Sequence, residues 1–368
     1  MKNLRTIYKR FLKFKKAQYC KDVKFWFGVE KGKFSKEEIS EVIEKYEIES
    51  FINFFRKIRD IIFSENPLSL TTVWSEDQWP LYYCLSFLKR EKIIEFKKGG
   101  RLKLLNKEFS KIFIRKKNEK EIQDILERKL KINLHPQSPS NYIFGGKIVS
   151  SYDQLPISLS SAIFIVKKIL EYLPLNKKFL FVGDDDFVSL YLCLTEPKID
   201  VLVIDIDEDL LEKIRKFAKK FHLKIETKKV DITKVKKLNE SFYGFLCNPV
   251  YTFEGIKTFV NFGVNQISKD GGYVFLSISD EAIGNRIVFL EEFFAKKKLK
   301  IEEVTKGNVF YPFNFAHPED EVIFERLKNF FDENAIKRSP MIGASFWVCE
   351  YFPFEIPRPK KQPLYAYL

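Results

Sequence analysis

Four short stretches place acids or a carboxamide directly after an apolar run. Residues 179–186 read FLFVGDDD, 201–207 read VLVIDID, 230–232 read VDI, and 245–252 read FLCNPVYT. Short, wholly apolar runs are the mark of strands buried on both faces, which occur in parallel sheets covered by helices. In a doubly wound sheet, ligands bind outside the carboxyl ends of the strands, near the point where strand order reverses. That edge would gather Gly183, Asp184, Asp185 and Asp186 from the first strand, Asp205 and Ile206 from the second, and Asp231 and Ile232 from the third. The fourth strand would add Asn248, Pro249 and Tyr251. Asp205 ends the strand after the glycine loop, where a carboxylate can accept two hydrogen bonds from a ribose diol. Asp231 and its adjoining backbone can hold adenine through its exocyclic amine. An adenosine-containing ligand is the expectation. The competing reading makes each acid a cap for the helix that follows, because Asp is a favoured N-cap residue.

The first loop sets the charge of that ligand. A loop that presents backbone N–H groups to an anion is normally rich in glycine. Here a single glycine meets three aspartates, which oppose the carboxylate of an adenosylmethionine tail. A bare aminopropyl cation attached to a sulfonium, or a polyamine, would instead be attracted.

The elements needed to position these residues are readable along the 368-residue chain. Between residues 158 and 307 apolar-periodic helices alternate with short strands, the last of them LKIEEVTKG ending at Gly307, and GASFWVCEYF can supply a final edge strand, making seven. The fold class is α/β, a doubly wound, mostly parallel sheet of the Rossmann-like, methyltransferase type, preceded by a helical domain. In that first domain Leu4, Ile7, Tyr8 and Phe11 share one face of a basic helix, and Ser35 with Glu38 has capping-box spacing. SFINFFRKIRDIIF is a core helix, Leu81 to Lys89 another, and IIEF and RLKLL pair across the turn at Lys97 to Gly100. Helices followed by a basic hairpin give the order of a winged-helix module, which can bind DNA or serve as a dimerisation add-on. The reading divides the chain into residues 1–134, a Pro-, Ser- and Gly-rich linker at 135–152, a catalytic domain at 153–352 and an extended tail at 353–368.

Composition narrows the chemistry further. The five cysteines form no CxxC pair and the three histidines have no partner at ligand spacing, so neither a metal site nor a disulfide framework is expected. No apolar stretch is long enough to span a membrane and the N-terminus has no signal-peptide core, a reading that places the protein in the cytoplasm. Abundant Phe, Lys, Glu and Ile with only two Met leans towards a thermophile. The net charge of +14 admits nucleic acid as a partner, although a solvated basic surface is the simpler account.

FVGDDDFVSL, VLVIDIDEDLLEKI and NPVYTFEGI resemble the archaeal and thermophilic-bacterial branched-chain polyamine synthases, marked by Gly-Asp-Asp-Asp after the first strand and Asp-Pro-Pro-Tyr-Thr-x-Glu-Gly after the fourth. YDQLPIS, containing Gln154, is similar to that family's Asp-Gln-x-Pro stretch. The resemblance implies transfer of aminopropyl groups from decarboxylated adenosylmethionine, without a metal, to the secondary amine of spermidine, with methylthioadenosine released. It implies Asp185 as the principal catalytic aspartate, with Asp184 and Asp186 holding flanking ammonium groups or the loop's shape. Gln154, Asn248, Pro249 and Tyr251 fall on the polyamine side, Tyr251 as a cation–π wall. The chain departs from the pattern at Asn248-Pro249-Val250. Asn cannot act as a base, though its carbonyl can accept from an amine, and a different acceptor amine stays open. So does methyl transfer to an exocyclic amine of nucleic acid, for which Asn-Pro-Pro-Tyr is the known signature. A silent regulator that senses adenosyl ligands or polyamines is the third alternative.

Overall fold

The computed structural model describes residues 4–29, 50–74, 76, 78–97, 102–105, 107–146, 155–313 and 318–354. Contacts within the chain divide it between Arg115 and Lys116 into two compact units.

In the first unit, helix α1 (Leu4–Val29) buries Ile7, Tyr8, Phe11 and Val23. Phe11 stacks on Phe54 of α2 (Phe51–Phe63) with centroids 4.2 Å apart and meets Phe87 of α3 (Gln78–Arg90) edge-on. Ser50 caps α2 by accepting the N–H of Asn53. Strands β1 (Ile94–Phe96) and β2 (Leu102–Leu104) pair antiparallel, as the sequence suggests. The winged-helix assignment rests on this order of elements alone. Ser35, Glu38, residues 98–101 of the turn and residues 355–368 of the expected tail lie outside the described residues.

The second unit opens with α4 (Glu119–Leu130), started by a capping box between Asn118 and Glu121. The division comes earlier than the composition of 135–152 suggests, because α4 is bound into this unit. Lys117 pairs with Glu196 at 2.9 Å, Lys129 donates to the Leu194 carbonyl at 2.6 Å, and Ile122 and Leu126 are buried. Nor are residues 135–146 a spacer. Phe144 is buried against Phe187, Tyr191 and Phe217, and the Ser140 N–H donates to the Ile157 carbonyl. Proline and serine there shape a packed turn.

Helix α5 (Leu159–Tyr172), capped by Ser158, leads into β3 (Phe179–Val182), α6 (Val188–Thr195), β4 (Val201–Asp205), α7 (Glu208–Lys220) and β5 (Ile225–Lys229). Then follow β6 (Gly244–Cys247), α8 (Phe253–Val264), β7 (Gly272–Ile278), α9 (Ile287–Lys296), β8 (Leu299–Pro312), α10 (Pro318–Leu327) and β9 (Pro340–Tyr351). The sheet order is β5-β4-β3-β6-β7-β9-β8, with the first five strands parallel and β9 antiparallel to both its neighbours. Side-chain alternation builds a core on each face. Leu180, Val182, Leu202 and Ile204 join Ile256, Val260, Leu290 and Phe294 in one cluster. On the other face Phe164 and Tyr172 of α5 meet Phe346 and Phe275 edge-on.

One expectation is corrected. GASFWVCEYF was read as the edge strand, yet β9 lies between β7 and β8, and the edge is β8, which continues to Pro312. Residues 344–350 are buried without interruption, which suits an inner strand, whereas β8 is half-buried or exposed throughout from Lys300 to Asn308, as an edge can be. No helix among the described residues is long and apolar enough to cross a membrane.

Candidate active site

Strand order reverses between β3 and β6, and a cavity of about 720 Å³ opens there along the carboxyl ends of the parallel strands. Gly183, Asp185, Asp205, Ile206, Asp231, Ile232, Asn248, Pro249 and Tyr251 all line it. Gln154 lies outside the described residues. Among the described residues, no Lys, Arg or His lines it, in a chain of net charge +14.

The three loop aspartates separate into distinct roles. Gly183 turns the chain out of β3 with φ +79°, a conformation open to glycine. Asp184 is buried and faces away from the cavity. Its carboxylate accepts the N–H of Ser189 and so caps α6, whose own cap position, Phe187, offers no side-chain acceptor. Phe187 itself is held at φ +55°, a strained setting for an aromatic residue, by complete burial. Asp186 points behind the loop: Oδ1 accepts Ile157 N–H at 2.7 Å and Ser140 Oγ–H at 3.2 Å, and Oδ2 lies 3.5 Å from Asn248 Nδ2. Asp185 alone of the three lines the cavity.

Electrostatics follow this geometry. Burial pushes the Asp186 carboxyl up to about 6 against the donors that hold it. Asp185 is raised well above the usual carboxylate range by burial and then by the charges of Asp186, Asp205 and Asp184. Burial also raises Asp205, opposed by the backbone N–H groups of Asp207, Ile206 and Asp184. Four crowded carboxyls that resist ionisation favour a cation in the cavity.

The capping alternative holds for some acids. Asp207, two residues beyond Asp205, caps α7 through the N–H groups of Asp209 and Leu210. Asp231 bonds the N–H and hydroxyl of Thr233 and pairs with Lys234 at 2.9 Å, partners that pull its carboxyl down to about 2. Asp205 also accepts the N–H of Asp207, and its carboxylate stays at the cavity wall 3.8 Å from where a Gly183 Cβ would be.

At the end of β6, Asn248 is fully engaged with Asp186, Tyr251 and Tyr311. Tyr311 was not anticipated, because β8 was read as ending near Gly307. The signal was the continued alternation of NVFY, in which Val309 and Tyr311 are buried. Thr252 caps α8 by accepting the N–H of Gly255. A Cβ on Gly255 would come within 2.7 Å of the Val250 carbonyl oxygen, so glycine is required for the helix to start this close to the turn. Gly255→Ala should cost about 1–3 kcal/mol, read as a lower thermal midpoint, and should weaken ligand binding through displacement of residues 249–251.

Residues 146–311, which contain this whole constellation except Ser140, match the family model for the branched-chain polyamine synthase A C-terminal domain. Over this stretch the chain is similar to the branched-chain polyamine synthases. An uncharacterised protein of Methanocaldococcus jannaschii is 29% identical over 279 residues, covering 69% of this chain and 68% of that protein. The N(4)-bis(aminopropyl)spermidine synthase of the same organism is 33% identical over 95 residues, 25% of this chain and 27% of that enzyme. Among solved structures, the branched-chain polyamine synthase of Thermus thermophilus, in complex with N4-aminopropylspermidine and 5'-methylthioadenosine, is 17% identical with a TM-score of 0.48, covering 85% of this chain and 90% of that one. A putative RNA methyltransferase of Pyrococcus horikoshii is 12% identical with a TM-score of 0.43, covering 64% and 98%. Among the described residues, no group of three or more His, Cys, Asp or Glu could hold a metal ion.

Proposed function

We propose that the chain is an aminopropyltransferase that moves the aminopropyl group of decarboxylated adenosylmethionine to an amine of a polyamine; the resemblance to the branched-chain synthases points to spermidine's secondary amine, and which nitrogen of the acceptor reacts is a separate question. The observation that carries this reading is the cavity itself: Asp185 lines it, and among the described residues its lining has no basic side chain. A methionine-type carboxylate would face aspartate without a counter-charge, whereas an aminopropyl ammonium would find its partner.

In this reading Asp205 holds the ribose hydroxyls, with Ile206 and Ile232 against the adenine. Asp185 takes a proton from the acceptor amine, whose lone pair then attacks the methylene carbon beside the sulfonium. The carbon–sulfur bond breaks, its electron pair stays on sulfur, and neutral methylthioadenosine leaves. Asp184 and Asp186 are positioning residues, one fixing α6 and the other fixing the loop to Ser140 and Ile157.

Methyl transfer to a nucleic-acid base has less support. It requires the Asn248 carboxamide to receive the target amine, and both ends of that carboxamide already have partners. The deciding experiment incubates the protein with spermidine and either adenosylmethionine or its decarboxylated form, following methylthioadenosine by mass spectrometry. Release with the decarboxylated form alone is expected. Turnover supported only by adenosylmethionine would overturn the reading.

A further inference from the structure

Asn248, Tyr251 and Tyr311 close a ring of hydrogen bonds at the cavity wall. Asn248 Nδ2 lies 2.9 Å from the Tyr311 hydroxyl, the two tyrosine hydroxyls are in hydrogen-bond contact, and the Tyr251 hydroxyl lies 3.2 Å from Asn248 Oδ1. The ionised Asp186 carboxylate can only accept, so its approach to Nδ2 sets which way the carboxamide faces. Protons can then run one way around the ring, from Nδ2 to Tyr311, from Tyr311 to Tyr251, and from Tyr251 to Oδ1. The ring carries no formal charge, and all three residues line the cavity.

The charges around it are unequal. Of the other acids in the lining, Glu254 pairs with Lys257 at 2.8 Å, Asp231 pairs with Lys234, and Asp205 is held by backbone N–H groups. Asp185 differs: the charges that act on it are those of other aspartates. Among the described residues, then, Asp185 and Asp205 are the lining carboxylates that no Lys or Arg pairs, and with Asp205 given to the ribose in the proposed reading, Asp185 is left as the carboxylate beside a neutral ring. A buried ammonium that finds no carboxylate is costly, so the site can satisfy one ammonium next to the reacting nitrogen far better than two.

Resting on the aminopropyl-transfer reading, we propose that Asn248, Tyr251 and Tyr311 determine acceptor specificity: the neutral ring beside Asp185 selects an amine nitrogen flanked by one ammonium, as at the end of a linear amine, over a secondary nitrogen flanked by two. The terminal nitrogen loses its proton to Asp185 and bonds to the methylene carbon as the carbon–sulfur pair returns to sulfur. The product is a linear polyamine one aminopropyl unit longer.

The test uses the full chain with decarboxylated adenosylmethionine and, separately, 1,4-diaminobutane and spermidine. Tandem mass spectrometry distinguishes linear from branched products. Linear products should predominate, and Asn248→Asp, which places a second carboxylate next to Asp186, should raise the branched-to-linear ratio at least about tenfold. Tyr311→Phe opens the ring without adding charge, and should raise the acceptor KM and move the ratio far less than Asn248→Asp does, with linear product still predominant. Mainly branched product from the unaltered chain, or a ratio that Asn248→Asp does not move, overturns the proposal while methylthioadenosine release upholds the transferase reading. No methylthioadenosine with any amine overturns both.

Discussion

Asp185→Asn should reduce methylthioadenosine release by about 10²–10⁴-fold, the range typical for loss of a general base, with a thermal midpoint no lower than that of the unaltered chain. The two halves of this expectation come from one geometry. Asp185 is the loop aspartate that lines the cavity, so its carboxylate is the one that can reach an acceptor amine. Its ionisation is opposed by burial and by Asp186, Asp205 and Asp184, so a neutral isostere relieves repulsion in the fold while removing the proton acceptor. Asp184→Asn provides the contrast. Asn can still accept the Ser189 N–H, and activity should survive to a much larger extent. Near-normal turnover in the Asp185 variant, measured alongside a native-like melting curve, would take the loop out of the mechanism.

Polyamine binding should expel protons. Without a ligand, Asp185 and Asp186 hold protons to higher pH than ordinary carboxyls, Asp186 to about 6. An ammonium beside them favours the ionised forms and draws their proton affinities down. Affinity should therefore rise with pH through about 6 and above. Calorimetry of a polyamine titrated in two buffers of different ionisation enthalpy should give heats that differ in the sense of proton release. Identical heats across that range would show that the carboxyls do not meet the ligand. Stability of the unliganded protein runs the other way. A carboxyl raised in the folded state contributes stability that is fully present below its unfolded value, near 3.8, and is lost as pH rises through about 6. The ligand should thus stabilise most where the unliganded site is most strained by charge.

Much of this site was legible because strand ends in a parallel sheet have a short sequence pattern. FLFV, VLVID and FLC are buried almost throughout, and the polar residues after them do share one edge. Only the family resemblance singled out Asp185; the strand pattern alone did not tell which of three consecutive aspartates faces the cavity. That depends on the αL turn at Phe187, which directs Asp184 to the helix start, and on Ser140 and Ile157, distant in sequence, which claim Asp186. Tyr311 was missed because edge strands carry weak periodicity, and the strand order at β9 was missed because chain order does not reveal an insertion. Composition also misled at 135–146, where turn-forming residues build a packed segment.

Because β9 lies between β7 and β8, β8 has no ladder partner until residues 340–351 are in place. The first five strands, with the aspartate loop and the Asn248 turn, precede that segment and can pair among themselves. Tyr311 cannot be set against Asn248 in the same way, since the strand that holds it must wait for the last one. The wall that the acceptor proposal invokes is therefore complete only once β9 has paired with both its neighbours, whereas the strand ends that carry Asp185 and Asn248 need no part of β9.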